Sequence, residues 1–352
     1  MFITGIGTAT PPHRYHQSEC WTALEGSDRI NQLSLRSRAI LKKVLRGNNG
    51  ILTRHLALDP LEEAFQLGPD VLQARFTKHA PTVAAAAARN ALQDAELKAG
   101  EVDALIVSTC TGYLCPGLTS YVSELLGLRA DALLLDLVGQ GCGAAIPNMR
   151  TGEALIESGR AAKVLSVCVE ICSAVFYLDD DPGVLISACL FGDGAGAAIL
   201  SKEPNQRGRS IKWRDSKSVI APEARDLLRF EHTNGMLRNV LSPEVPTLAA
   251  KYFEEVLTQT LIEQKLQLSD IKGWIVHAGG RDVLAALQQR MQFSPETFCL
   301  SAKILEEYGN LSSPFVYFVL QEALRRKTPG GYWWLASFGA GFSSHGVLLE
   351  VE

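Results

Sequence analysis

The stretch DLVGQGCGAA, residues 136–145, sets one cysteine between glycines, directly after an apolar run and directly before a helix-like segment. A free cysteine usually serves as a small core hydrophobe. Cys142, flanked by Gly141 and Gly143, has a second reading. Glycine lets a backbone turn sharply and approach a ligand. A helix start carries partial positive charge that favours a thiolate. The rest of the chain decides between these readings.

Short β-branched runs read as buried strands at 103–111, 132–138, 163–170, 194–201, 273–279, 297–301, 332–339 and 345–352. Helical stretches such as 80–97 and 245–266 lie between them. This alternation predicts α/β layers. Two halves then match in register. Val107 and Val276, Cys142 and Leu311, and Val164 and Trp333 are each 169 positions apart. A constant offset at a strand, a glycine-rich turn and a second strand indicates duplication. It predicts pseudo-twofold halves, 1–205 carrying the cysteine and 206–352 carrying its partners. Each glycine-rich turn is expected to follow a strand and open a central helix, so Cys142 falls at a helix start. The segment after Glu170, through FYLDDDPGVLISACLFGD at 176–193, has no second-half counterpart of similar length. Long extra loops on a rigid scaffold are where function concentrates.

Composition narrows the class. The 352 residues carry a net charge of -4 and show no basic stripe, which argues against a nucleic-acid partner. No apolar run approaches the ~18 residues of a membrane span. The opening MFITGIGTATPPH lacks a charged n-region and a long h-region, so a cytoplasmic protein with reduced thiols is expected. The eight Cys form no paired CxxC set and the seven His show no ligand spacing, so no metal site is expected.

A cysteine nucleophile needs a cationic or basic partner, oriented and close. The second half offers WIVHAGG at 274–280 and EYGNLSSP at 307–314. Taken singly, His277 reads as a core histidine and Asn310 as a turn or cap residue. The repeat, however, brings the ends of both inner units to one pseudo-twofold centre. Cys142, His277 and Asn310 would converge there.

The chain resembles the type III polyketide synthases, the chalcone and stilbene synthase-like family of the thiolase superfamily. The resemblance runs from GIGTATPPH (5–13) through CTGYLCPG (110–117), GQGCGAA (139–145), CLFGDGAGAAIL (189–200), LSPEVP (241–246), VHAGG (276–280) and EYGNLSSP (307–314) to ASFGAGF (336–342). It implies the thiolase-like αβαβα layered fold. It also implies that Cys142 accepts an acyl group from an acyl-CoA, with His277 and Asn310 completing the triad. Phe191 matches the gatekeeping aromatic, and Phe338, Gly339 and Gly341 match the loop that shapes the site, with Ala340 where plant enzymes carry Pro. Lys43 and Arg46 copy the Lys-x-x-Arg spacing that holds CoA phosphates, although the stretch after them is about two residues short; a solvated helix face is the alternative. The family's substrates are CoA thioesters, and no metal or redox cofactor is expected. The segment TGYLCPGLTSYVSELLGL (111–128) matches the family's dimer-facing loop and helix, so a homodimer is expected.

The cavity positions depart from the plant enzymes. Cys115 replaces the Met that reaches across the dimer, and the neighbouring Pro116 is expected to keep the family's cis peptide. Cys172 and Val175 replace two cavity Thr residues. No second gate Phe stands near 237–239. Ser312 counts among the cavity residues. Members that take long acyl chains carry small residues at the Thr111 and Cys172 positions, so a fatty acyl starter and an alkylpyrone or alkylresorcinol product are expected. An aromatic or malonyl starter stays open, as do a ketoacyl synthase III-like single condensation, a related one-step acyl transferase and a non-catalytic partner subunit.

Overall fold

The computed structural model describes residues 1–205 and 209–352. The first half runs β1 (Phe2–Ala9), β2 (Arg14–His16), α1 (Gln17–Glu25), α2 (Asp28–Asn31), α3 (Leu35–Arg46), β3 (Thr53–His55), α4 (Pro69–Asp94), β4 (Ala104–Thr109), α5 (Leu118–Leu126), β5 (Leu133–Val138), α6 (Ala145–Glu157), β6 (Lys163–Glu170), α7 (Pro182–Leu190) and β7 (Gly194–Ser201). The second runs β8 (Ile211–Ile220), β9 (Leu228–Thr233), β10 (Met236–Leu241), α8 (Val245–Gln264), β11 (Ile271–Val276), α9 (Arg281–Met291), α10 (Cys299–Tyr308), α11 (Phe315–Arg325), β12 (Gly331–Gly339) and β13 (Ser343–Val351).

Nine strands line up as β11-β12-β13-β8-β1-β7-β6-β4-β5. The order is mirrored about a seam where β1 meets β8 through Phe2–Lys212 and Ile3–Ile211. On one side β4 pairs parallel with β6, then β7 and β1 follow antiparallel. On the other β11 pairs parallel with β12, then β13 and β8 follow antiparallel. The expected duplication is therefore present in the strand order.

Helices complete the layers. α6 packs on β4, β6 and β7 of its own half and on β12 and β13 of the other; α11 likewise touches β11 and β12 and, across the centre, β1 and β7. α4 covers the far side of β1, β7 and β6, and α8 covers β13 and β8. The sequence explains the close approach of α4. Its Ala-rich run presents small side chains, and a Cβ on Gly5 or Gly7 of β1 would collide with the Ala91 and Ala87 carbonyls. Central burial is complete: Phe315, Tyr317 and Val319 of α11 are at most 1 % exposed.

Three expectations change. The run at 297–301 is not a strand: Pro295 starts a short 3-10 turn and Cys299 starts α10. Its buried residues Ser301, Ile304 and Leu305 have helical spacing. The second glycine-rich turn therefore follows a helix, and β5 has no partner in the other half. Nor is β5 buried: Leu133, Leu134 and Val138 are 42, 41 and 59 % exposed on the sheet's outer edge. The boundary expected between 205 and 206 abuts residues 206–208, which lie outside the described residues. No helix among the described residues is long and apolar enough to cross a membrane.

Candidate active site

Both inner units deliver side chains to one point. β5 ends at Val138, and a short 3-10 turn, Gly141–Gly143, carries Cys142 into α6. Gly141 has φ +57, and a Cβ there would come 2.9 Å from the Ala340 Cβ. A Cβ on Gly143 would come 2.8 Å from Gly339. The loop 337–341 thus seats the cysteine turn from behind, and the Ser337 hydroxyl donates to the Gly143 carbonyl at 3.1 Å.

From the other half, His277 follows β11, and its N–H donates to the Ala336 carbonyl at 2.9 Å. Asn310 pairs with Phe191 in an isolated parallel bridge, held by Asn310 N–H to Leu190 O at 2.9 Å and Gly192 N–H to Asn310 O at 3.0 Å. The expected gate residue is thereby tied to an expected triad residue. His277 and Asn310 are 3 % and 2 % exposed.

One hydrogen-bond chain joins the group. The Ser312 hydroxyl donates to Cys142 Sγ at 3.1 Å. The Ser312 backbone N–H donates to Asn310 Oδ1 at 2.8 Å. His277 Nε2 faces the same oxygen at 3.1 Å, and Asn310 Nδ2 donates to the Gly279 carbonyl at 3.1 Å. These partners fix the amide orientation, so His277 Nε2 must carry the proton it gives to Oδ1. His277 Nδ1 is left without a partner among the described residues.

Electrostatics works against one expectation. A helix start favours thiolate, but burial pushes the Cys142 thiol up to about 12, opposed by the Ser312 hydrogen bond and reinforced by Glu170. Burial lowers His277 to about 4 against its Asn310 bond. Burial thus favours the neutral form of each group. Desolvation of the charged form opposes the partial helix charge here, while the Cys142 side chain stays partly exposed.

The chamber in front of Cys142 draws its walls from 110–111, 172–177, 184–191, the β9–β10 hairpin and Ser312. Thr111, Cys172, Val175, Phe191 and Ser312 all line it, as expected positions. Four others do not. Cys115 is exposed on its loop, where the Cys115–Pro116 peptide is cis. Phe338 is buried against Phe253, ring centroids 6.5 Å apart. Gly339 lies behind Gly143, and Gly341 borders an adjoining groove with Gly139 and Arg225. Lys43 and Arg46 sit exposed in the last turn of α3, and Arg46 borders a surface groove with Arg281 and Lys303.

Several site residues went unread. Glu170, wholly buried, accepts from Ser313 Oγ at 2.6 Å, Cys110 N at 3.0 Å, Thr111 Oγ1 at 3.0 Å and Thr109 Oγ1 at 3.2 Å. Burial lifts its carboxyl above the usual range despite these donors. A lone acid closing the apolar strand KVLSVCVE was the available signal. Phe230 lines the chamber from β9, opposite Asn239 of β10. It supplies an aromatic wall that 237–239 did not offer. The Asn234–Gly235 turn between two runs marked that hairpin. Arg238 anchors it to the long extra loop, through Asp179 at 2.8 Å and Asp181 at 3.2 Å. Among the described residues no His/Cys/Asp/Glu group could hold a metal ion.

Comparisons with known proteins agree with this architecture. Residues 11–231 match the model of the FAE1/type III polyketide synthase-like proteins, and residues 215–351 match the chalcone and stilbene synthase C-terminal domain. A 1,3,6,8-tetrahydroxynaphthalene synthase of Streptomyces peucetius subsp. caesius is 31% identical over 99% of this chain and 92% of its own. An alpha-pyrone synthesis polyketide synthase-like protein, Pks18, of Mycobacterium tuberculosis is 27% identical over 99% of this chain and 91% of its own. The crystal structure of the Streptomyces coelicolor tetrahydroxynaphthalene synthase superimposes with a TM-score of 0.89 at 25% identity, covering 99% of both chains. With a family model spanning well over half its length, two relatives aligned nearly end to end and the layered fold in common, the chain belongs to the type III polyketide synthases, CoA-dependent condensing acyltransferases of thiolase-like fold.

Proposed function

We propose that this chain condenses malonyl-CoA onto a fatty acyl-CoA starter held on Cys142, and releases an alkylpyrone or alkylresorcinol. The observation that carries the reading is the hydrogen-bond chain Cys142–Ser312–Asn310–His277 beneath an apolar chamber. The Cys142 sulfur attacks the acyl-CoA carbonyl. A C–S bond forms, the CoA thiolate leaves, and the proton of the Cys142 thiol ends on the CoA sulfur. Malonyl-CoA then loses carbon dioxide. The second Asn310 Nδ2 hydrogen, and His277 Nε2–H on turning away from Asn310 Oδ1, donate to the enolate oxygen that develops, which is electrostatic stabilisation in a dry site. The enolate carbon attacks the Cys142 thioester, the cysteine thiolate leaves, and a 3-oxoacyl-CoA results. Reloading repeats the cycle. No resident metal or redox cofactor takes part in this scheme, and the exposed Lys43 and Arg46 are assigned to the CoA phosphates.

The starter assignment rests on small or apolar walls at Cys172, Val175 and Thr111. The relative named for alpha-pyrone synthesis supports it. The relative named tetrahydroxynaphthalene synthase supports the alternative, a starter without a long tail. Mass spectrometry of products from a panel of acyl-CoA starters with malonyl-CoA separates them. Alkylpyrones or alkylresorcinols with a fatty starter support the first, and products formed from malonyl-CoA alone support the second. We assign the exposed apolar edge of β5 to a homodimer in the cytoplasm. Light scattering at the monomer mass of 38.2 kDa at micromolar concentration would count against it.

A further inference from the structure

Ser187 lies on α7, one turn before Phe191, and lines the same chamber as Cys142. Its side chain is 4 % exposed, and its Oγ has no hydrogen-bond partner among the described residues. Folded proteins rarely leave a buried hydroxyl unpaired. A helical serine ordinarily bonds back to the carbonyl four residues earlier; this one does not. The chamber's other two aliphatic hydroxyls are engaged. Thr111 Oγ1 donates to Glu170 and accepts from the Ile171 N–H at 2.9 Å, and Ser312 Oγ donates to Cys142. Val184, Ala188, Phe176 and Phe230 are apolar parts of the same wall, which Tyr177, Arg229 and Asn239 also line.

We propose that Ser187 is a specificity-determining residue that donates its hydroxyl hydrogen to the ketone oxygen of a 3-oxoacyl chain in the chamber. A neutral, unengaged donor suits a neutral acceptor. Arg229, the charged residue on the same wall, is already paired with Glu231 at 3.0 Å. A saturated starter brings no oxygen beyond its thioester. Each condensation adds a ketone, so Ser187 favours chains already extended over fresh starter. The inference rests on the condensing reaction proposed above and deepens it.

The test is calorimetric, with octanoyl-CoA and 3-oxo-octanoyl-CoA titrated into Cys142→Ala protein and into Cys142→Ala/Ser187→Ala protein. Loss of one neutral hydrogen bond shifts the 3-oxo/saturated affinity ratio about five-fold toward the saturated ligand. Ser187→Ala has no hydrogen bond to lose in the free protein, so its Tm stays at or above wild type. Ser187→Cys, a weak donor of similar size, gives an intermediate ratio. An unchanged ratio, or a lower Tm with both ligands weakened equally, overturns the role. These titrations need no turnover. Wild-type protein that fails to extend either thioester with malonyl-CoA would sink the condensing reaction instead, and the two failures stay distinct.

Discussion

Asn310 is the residue whose replacement separates positioning from chemistry. Its side chain makes three bonds, accepting from Ser312 N–H and His277 Nε2 and donating to the Gly279 carbonyl. Asn310→Ala removes all three, and at about 1 kcal/mol net for each the fold loses roughly 3 kcal/mol. The catalytic loss is different in kind. One oxyanion donor of this sort is worth ~100- to 1000-fold in rate. That donor acts only where enolate charge develops, so carbon dioxide release from malonyl-CoA should fall by this factor while Cys142 still takes up an acyl group. Asn310→Asp sharpens the separation. It keeps an acceptor for Ser312 and His277 but loses the amide donor, and it sets a carboxyl oxygen against the Gly279 carbonyl. Intact-protein mass spectrometry measures loading, labelled malonyl-CoA measures decarboxylation, and a melting curve measures folding. A well-folded Asn310→Asp enzyme that decarboxylates at the wild-type rate would refute the assignment.

Other consequences follow from burial. His277 and His345 are both held at about 4, chiefly by burial. Each binds a proton in the unfolded chain near pH 6.5 but in the folded chain only near pH 4, so stability is full above pH 6.5 and falls as pH drops toward 4, by up to roughly 3 kcal/mol per residue. His345→Gln should flatten the Tm slope over that window; an unchanged slope would show that His345 does not titrate there. The raised Cys142 thiol predicts that iodoacetamide at pH 7 labels exposed Cys299 before Cys142, with inactivation lagging the first label. Inactivation that tracks the first label would instead restore the thiolate. Cys172, 3 % exposed on the chamber wall, is the place to shorten the starter. Each buried methylene adds up to ~0.8 kcal/mol, so affinity should rise more than tenfold from hexanoyl- to dodecanoyl-CoA even if only part of the tail is buried. Cys172→Phe should then cut kcat/KM for dodecanoyl-CoA far more than for hexanoyl-CoA; equal losses would defeat the long-chain reading.

The repeat was legible because it left a constant offset between residues whose types are dictated by burial, such as Val107 and Val276. The strand at 297–301 was misread because five residues cannot distinguish period two from the helical spacing of Ser301, Ile304 and Leu305. The exposed face of β5 was illegible for another reason. Its LLLDLV run is as apolar as a core strand, and only the sheet order shows that no strand among the described residues pairs with its outer edge. The expected triad could be read because the repeat brings the turns at Cys142 and Asn310 and the strand end at His277 to one centre, and because the motifs around them resemble the family's. Ser187 could not, and Glu170 only as a lone acid ending an apolar strand, since their significance lies in what surrounds them. One is a carboxyl ringed by donors, the other a hydroxyl without a partner.

The two glycine-rich turns show how one duplicated unit divides the labour of a site. At the 169-residue offset, Gly141 corresponds to Asn310, Cys142 to Leu311 and Gly143 to Ser312. In the first turn the flanking positions must be glycine, because the 337–341 loop presses on both and leaves no room for a Cβ. The side chain between them is then the only one the turn can offer. In the second turn the middle position is a fully buried Leu311, and the flanks carry the function. Ser312 adopts φ +58, a left-handed conformation that costs a non-glycine residue roughly 1 kcal/mol. That conformation lets one residue do two things, sending its N–H to Asn310 Oδ1 and its hydroxyl to Cys142 Sγ. A glycine at 312 would relieve the strain and keep the first bond but lose the second. The strained serine is thus the link by which the half without the nucleophile holds the half that has it.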